Sequence, residues 1–281
     1  MTMMFEVGPG RGVTDPQCPA SGMVYLEPMV YLEPSILGLP PFTSAGSTGL
    51  DSLSSRFLQE LGQSFLQDSI TFVRSSVKEV ITSMDSNLTC SLLKLLDCFF
   101  KPFVPQEGTR PPPKKKLSRL SELIEPWFVF SLVWSVGATG DAASWLKFSV
   151  WLRDKMAEEK IKLCFPKEGL VYDYRLDDAG ISNLSEEEEE DRDGKVQWVS
   201  WMESARQVVI TPDTSYSDII VPTPDTIRMS FLMDMLLSNK KPVLCIGPTG
   251  TGKTLTISDK LLKNMPAEYI THFLMFSAAH Q

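Results

Sequence analysis

From about Ser52 the chain alternates apolar and polar residues with a helical period. Phe57, Leu61 and Phe65, then Leu66, Ile70, Val73, Val77 and Val80/Ile81, recur every three or four residues along one face. A second helix is predicted over residues 88–100, carrying Leu92, Leu95, Leu96, Phe99 and Phe100, with Pro102 stopping it. Residues 117–136 read as a third helix, apolar nearly all round in its second half, which is the pattern of a helix buried among others. Pro126 is expected to kink or divide it, and Gly137 and Gly140 to end it. A fourth helix over 142–156 presents Trp145, Phe148, Trp151 and Leu152 at helical spacing, so its aromatic residues are assigned to core packing. Residues 52–156 therefore predict an all-α bundle.

The pattern then changes. Residues 170–176 (LVYDYRL) alternate as a strand does, and 196–201 and 208–210 are further short strand candidates. Asp173, Asp177 and Asp178 have no calcium-loop spacing. The acidic run 186–191 reads as a solvated insertion, so 157–217 is taken as a linker with short strands and an acidic loop. Residues 218–222 predict a strand, and 225–238 a helix with Ile227, Phe231, Met235 and Leu236 inward. A strand at 243–246, a glycine-rich loop and a helix to about Asn264 follow, and 269–276 (YITHFLMF) reads as the next parallel strand. That order is the start of an α/β, doubly wound parallel sheet.

The loop carries the chemistry. In KPVLCIGPTGTGKT, a short apolar strand runs into Gly247, Pro248, Thr249, Gly250, Thr251, Gly252, Lys253 and Thr254, which is G-x-x-x-x-G-K-[ST] between strand and helix. Glycines keep side chains away so that backbone N–H groups converge on phosphate oxygens. The helix start adds its positive end, Lys253 reaches the β- and γ-phosphates, and the Thr254 hydroxyl ligates Mg²⁺. Four fixed positions match by chance in about one chain in a hundred of this length. The flanking strand and helix lower that further.

Bulk properties narrow the setting. With 281 residues, 43% hydrophobic and 22% charged, the composition is that of a globular chain long enough for two domains. A net charge of −8 argues against nucleic acid as the default partner. Five scattered cysteines and two histidines offer no zinc pattern. The start has no signal peptide, and the most apolar stretch, 127–138, is too short to span a bilayer, so a soluble, intracellular chain is expected. Residues 1–51 are predicted irregular. The hexapeptide MVYLEP stands there twice in succession, at 23–28 and 29–34, too short for a structural repeat.

The segments GMVYLEPSILG (with one copy of the hexapeptide removed), SITFVRSSVKEV, SLLKLLDCFFKPF, ELIEPWFVFSLVWSVGATGD, FPKEGLVYDYRLDDAGIS and IIVPT followed by KPVLCIGPTGTGKT resemble the axonemal branch of the dynein heavy chains. The resemblance covers 22–38 and about 65–276. It implies an α/β P-loop AAA+ core with a partial parallel sheet (218–281, opening the third module) preceded by an all-α helical bundle (52–156, the small domain closing the second). It implies ATP or ADP with Mg²⁺ as ligands, held by residues 247–254, with Leu255, Ile220 and Val221 beside the nucleotide. It also implies microtubules and the dynein intermediate and light chains as partners of the intact parent, a minus-end-directed motor of the ciliary or flagellar axoneme. Residues 1–7 (MTMMFEV) resemble the strand that precedes GMVYLEP in the family, but 8–21 do not fit its pattern, and Pro19-Ala20-Ser21 stands where the family carries an arginine that reaches the neighbouring nucleotide, so no such role is assigned here. The acidic residue that phosphoryl transfer needs on a later strand is expected to fall outside these residues, so the chain itself is expected not to hydrolyse ATP. The alternative is an interaction module with a vestigial loop. A complete small NTPase ranks third, since 219–222 supplies no strand ending in Asp or Glu.

Overall fold

A computed structural model describes residues 4–7, 52–80, 82–105, 111–184, 194–204, 222–246, 252–263, 265–267 and 269–274. In chain order it contains β1 (Met4–Val7), α1 (Ser52–Ser76), α2 (Asp85–Phe100), α3 (Lys114–Ser118), α4 (Ile124–Ser135) and α5 (Ala142–Glu158). These are followed by β2 (Tyr174–Asp177), β3 (Gln197–Ser200), α6 (Pro224–Ser238), β4 (Val243–Ile246) and α7 (Lys253–Lys263). The chain divides into two compact units, one of residues 28–204 and one of 1–27 with 205–281.

The first unit is built around α4. Eleven of its twelve residues are buried, and it packs against α1 and α2. α1 contributes Leu61, Phe65, Ile70 and Val73, and α2 contributes Leu92, Leu95, Leu96 and Phe100, all buried. Aromatic contacts set the fit: Phe65 meets Phe128 edge-on at 6.0 Å and Phe99 stacks on Trp127 at 5.3 Å. Two buried serines bond within their own helices, Ser69 Oγ donating to the Phe65 carbonyl at 2.7 Å and Ser135 Oγ to the Ser131 carbonyl at 2.6 Å.

Several boundaries differ from the sequence reading, and α2 starts at Asp85, three residues before the predicted start. α1 ends at Ser76 rather than near Ile81, because residues 78–80 bond elsewhere: Val80 N–H donates to Thr139 O at 2.9 Å and Asp141 N–H to Lys78 O at 3.0 Å. Residues 117–136 are not one helix kinked at Pro126. The break lies earlier, at the 3-10 turn Leu120–Glu122, and Pro126 is the third residue of α4. In the first turn its missing N–H is a group that has no helical partner anyway. α5 runs two residues longer than expected and is capped by Asp141, whose carboxylate accepts from Ser144 N–H at 2.9 Å. That backbone hydrogen bond, followed by the Ser144 hydroxyl, holds the Asp141 carboxyl below the usual aspartate range. Gly137 lies so close to the Phe148 ring that an added Cβ would collide with it.

Residues 161–184 and 194–204 close the same core. Leu170–Asp173 forms a tight turn, with Leu170 N–H donating to Asp173 Oδ2 at 2.7 Å. The predicted strand therefore starts only at Tyr174. β2 pairs antiparallel with β3, Leu176 opposite Trp198. Tyr172 and Trp201 are buried: the Tyr172 hydroxyl donates to Gly137 O at 2.6 Å, and Trp201 Nε1–H donates to Tyr172 O at 2.9 Å. Trp145 stacks on Tyr172 at 4.3 Å, and Trp134 meets Tyr172 edge-on at 5.8 Å, so the aromatic residues of the fourth predicted helix face packing partners. The aspartates of this stretch close turns. Asp177 accepts from Ala179 N–H, and Asp178 from the N–H groups of Gly180 and Ser182.

In the second unit β4 pairs with β1 in parallel register, Val243 opposite Met4 and Ile246 opposite Val7. β1 falls within 1–7, which resembles a strand of the family, inside a segment otherwise read as irregular. α6 starts one residue earlier than predicted, because Thr223 is its cap. Thr223 Oγ1 accepts from Thr226 N–H at 3.2 Å, Thr226 Oγ1 accepts from Thr223 N–H at 2.8 Å, and Pro224 takes the first helical position. The buried residues of α6 are Arg228, Met233 and Leu237, whereas Ile227, Phe231, Met235 and Leu236, expected inward, are half-buried. The helix is apolar on several sides, so periodicity alone did not choose one. Met233 and Leu237 pack with Ile257 of α7, flanked by Val243, Cys245, Leu261 and Met265. The described residues 269–274 are not a strand. Ile270 is 84% and Leu274 76% exposed, and alternation predicts a strand only where a neighbouring strand offers its backbone groups. The strand candidates at 208–210 and 218–221, the acidic run and the duplicated hexapeptide lie outside the described residues.

Candidate phosphate-binding site

β4 delivers the chain to the loop and α7 receives it. Of the residues singled out in the sequence, Gly247, Pro248, Thr249, Gly250, Thr251, Ile220 and Val221 lie outside the described residues. Gly252, Lys253, Thr254 and Leu255 lie within them, at the start of α7.

Gly252 has φ +77°, in the left-handed region. Among the described residues beyond its chain neighbours, no heavy atom lies within 4 Å of where its Cβ would stand, and the positive φ by itself favours glycine here. Its carbonyl accepts the first helical bond, from Thr256 N–H at 3.0 Å, and a second from Thr256 Oγ1 at 3.1 Å. The N–H groups of the first turn of α7, those of Lys253, Thr254 and Leu255 among them, have no acceptor within the helix. Together with the helix dipole, they form a site suited to an anion. Lys253 is half-buried and Thr254 exposed, both in that first turn. Leu255 is 50% exposed, while Ile257 and Lys260 are buried toward α6.

This arrangement fits the phosphate half of a nucleotide site: a positive-φ glycine, a helix start, a lysine and a hydroxyl in one turn. The Thr254 hydroxyl is a hard oxygen donor of the kind Mg²⁺ accepts. Among the described residues no three His, Cys, Asp or Glu side chains stand close enough to hold a metal ion; Mg²⁺ at the Thr254 hydroxyl would add positive charge to this turn. Bound there, it would neutralise phosphate charge.

Sequence reasoning missed the support beneath this turn. Lys260 is 7% exposed, and its ammonium donates to the Asp234 carboxylate of α6. The available signal was a lysine on the inward face, seven residues after Lys253 and three after Ile257. Arg228, 9% exposed, pairs with Asp225 in the first turn of α6. No helix among the described residues is long and apolar enough to cross a membrane.

Comparison with known proteins bears on both units. Residues 58–203 match the dynein heavy chain AAA lid domain, and residues 208–281 match the P-loop containing dynein motor region. Dynein axonemal heavy chain 1 of Homo sapiens is 60% identical over 99% of this chain and 6% of its own length. The Mus musculus counterpart is 58% identical with the same coverage. Dynein axonemal heavy chain 12 of Rattus norvegicus is 31% identical over 99% of this chain and 9% of its own. The chain thus spans less than a tenth of the length of these relatives.

Proposed function

The chain belongs to the dynein heavy chain family, and from that membership we propose that it closes one AAA+ module and opens the next, supplying the phosphate-binding turn of an ATP site. In this reading residues 58–204 are the lid of the second module, and 205–281 begin the nucleotide-binding core of the third. β4 and β1 are then two neighbours of a larger parallel sheet. The ligand is ATP or ADP with Mg²⁺. The loop 247–252 wraps the phosphates, Lys253 reaches the β- and γ-phosphates, and Thr254 supplies an oxygen to the metal. Ile220, Val221 and Leu255 border the base and sugar. The observation that carries the proposal is Lys253 and Thr254 in the first turn of α7, directly after a positive-φ glycine.

The residues of this chain bind and orient; phosphoryl transfer also needs an acidic residue and a sensor from further elements. The activity proposed for the chain alone is therefore nucleotide binding without turnover. The ATP-driven, minus-end-directed movement along microtubules, with intermediate and light chains in the axoneme of a cilium or flagellum, is proposed for the heavy chain of which this is a part.

Equilibrium titration of the chain with Mg-ADP and Mg-ATP, beside an ATPase assay, tests this. Saturable binding that Lys253→Ala weakens at least about tenfold, with no turnover above background, is expected. Binding unaffected by Lys253→Ala would refute the site and favour an interaction module. Turnover that Lys253→Ala abolishes would refute the division of labour.

A further inference from the structure

Two lysines stand seven residues apart on α7, Lys253 in its first turn and Lys260 two turns on. At 3.6 residues per turn both leave the same side of the helix. Between them Ile257 rests on Met233 and Leu237 of α6. Contacts of this kind are non-directional, and methionine adapts to a shifted neighbour. They hold the helices together but fix the rotation and height of α7 only loosely. The Lys260–Asp234 pair supplies the direction. Its ammonium is buried and its carboxylate half exposed, at 8% and 56% side-chain exposure. Asp234 directly follows Met233, so the ion pair adjoins the apolar contact. An ammonium in that setting is costly to separate from its carboxylate, so α7 cannot turn or slide on α6 without opposition.

We infer that Lys260 and Asp234 form a positioning clamp for the phosphate-binding turn. They set the register of α7 on α6, so that Lys253 and Thr254 stand ready for nucleotide before it arrives. Neither residue touches the ligand. The clamp acts through α7, by preorganisation. This inference rests on the phosphate-site reading above.

The test uses the whole 281-residue chain as wild type, Asp234→Asn, Lys260→Met, Asp234→Glu and Lys253→Ala. Each is titrated with Mg-ADP at a temperature where circular dichroism shows it folded, and hydrogen exchange is followed in the first turn of α7. Asp234→Asn and Lys260→Met should bind Mg-ADP about tenfold more weakly, with faster exchange at residues 253–258 before any ligand is added. Asp234→Glu, which keeps the charge at a half-exposed position, should bind within about twofold of wild type. A purely structural role would lower the melting temperature and leave the affinity of the folded variants unchanged. That result, with Lys253→Ala still defective, overturns the clamp and spares the site. Wild type that fails to bind Mg-ADP overturns both. If Lys260→Met does not fold, Asp234→Asn decides the matter, since its half-exposed position accepts the amide.

Discussion

The unit of residues 28–204 and the unit that carries the phosphate-binding turn are stabilised in different ways. The first has α4 buried on all sides and aromatic residues locked in pairs and triplets, with Trp127, Phe128, Tyr172 and Trp201 at 2% exposure or less. The described part of the second rests on three buried apolar side chains, Met233, Leu237 and Ile257, and on two buried cations paired with carboxylates. Its Leu262, Ile270, Phe273 and Leu274 are more than half exposed. A dense aromatic core resists distortion because every displaced atom loses several contacts. A small apolar core with directional ion pairs is weaker but sets orientation, which is what a ligand-holding helix start requires. The difference matches the roles proposed for the two units, a rigid lid and an adjustable site.

The sharpest way to break this contrast is at Trp127. Its ring stacks on Phe99 and meets Phe100 and Phe103 edge-on. Trp127→Ala should cost about 3–5 kcal/mol, read as a lower denaturant midpoint with exchange rising first in α1, α2 and α4. Ile257→Ala should cost about 2 kcal/mol, because the small α6–α7 contact relaxes more readily. Its signature should be faster exchange in α6 and α7 with the bundle amides unchanged. Equal protection losses in both units would erase the distinction. Gly137→Ala forces a methyl against Phe148 and should destabilise the bundle by about 1–3 kcal/mol.

The smallest effect concerns pH. The Asp141 carboxyl is held below the usual range chiefly by the Ser144 backbone hydrogen bond. Its folded pKa is therefore lower than its unfolded one. The stability it contributes is present above the ordinary aspartate value of about 3.9 and is lost as pH falls through the lower folded value. Asp141→Asn keeps an oxygen acceptor for the cap but cannot titrate. Urea midpoints compared at neutral and acid pH should fall less steeply in this variant than in wild type.

Much of this was readable from residue order, for reasons that differ by region. Long apolar periods such as Leu61, Phe65 and Val73 fix a helix because nothing else buries that face. The G-x-x-x-x-G-K-T string places Gly252, Lys253 and Thr254 at a helix start because glycine conformation and helix geometry are local. What escaped depends on distant partners. The true end of α1 is set by residues 139–141, and the buried face of α6 is set by Ile257. Among the described residues, 269–274 of the strand expected at 269–276 have no strand pairing, which alternation alone cannot reveal. The resemblance marked 1–7 as a strand, but its pairing with β4 could not be read from residue order. The Lys260–Asp234 pair joins residues 26 positions apart through one buried lysine that a helical pattern counts as a surface charge.

The site itself is tested most directly by phosphorus-31 NMR of Mg-ATP titrated with the chain. The β- and γ-phosphate resonances should shift and broaden in proportion to wild-type protein, and Lys253→Ala should leave them near their free positions. Resonances that stay unchanged with wild type, or that move equally with Lys253→Ala, would contradict the assignment of Lys253 and Thr254 to the nucleotide phosphates.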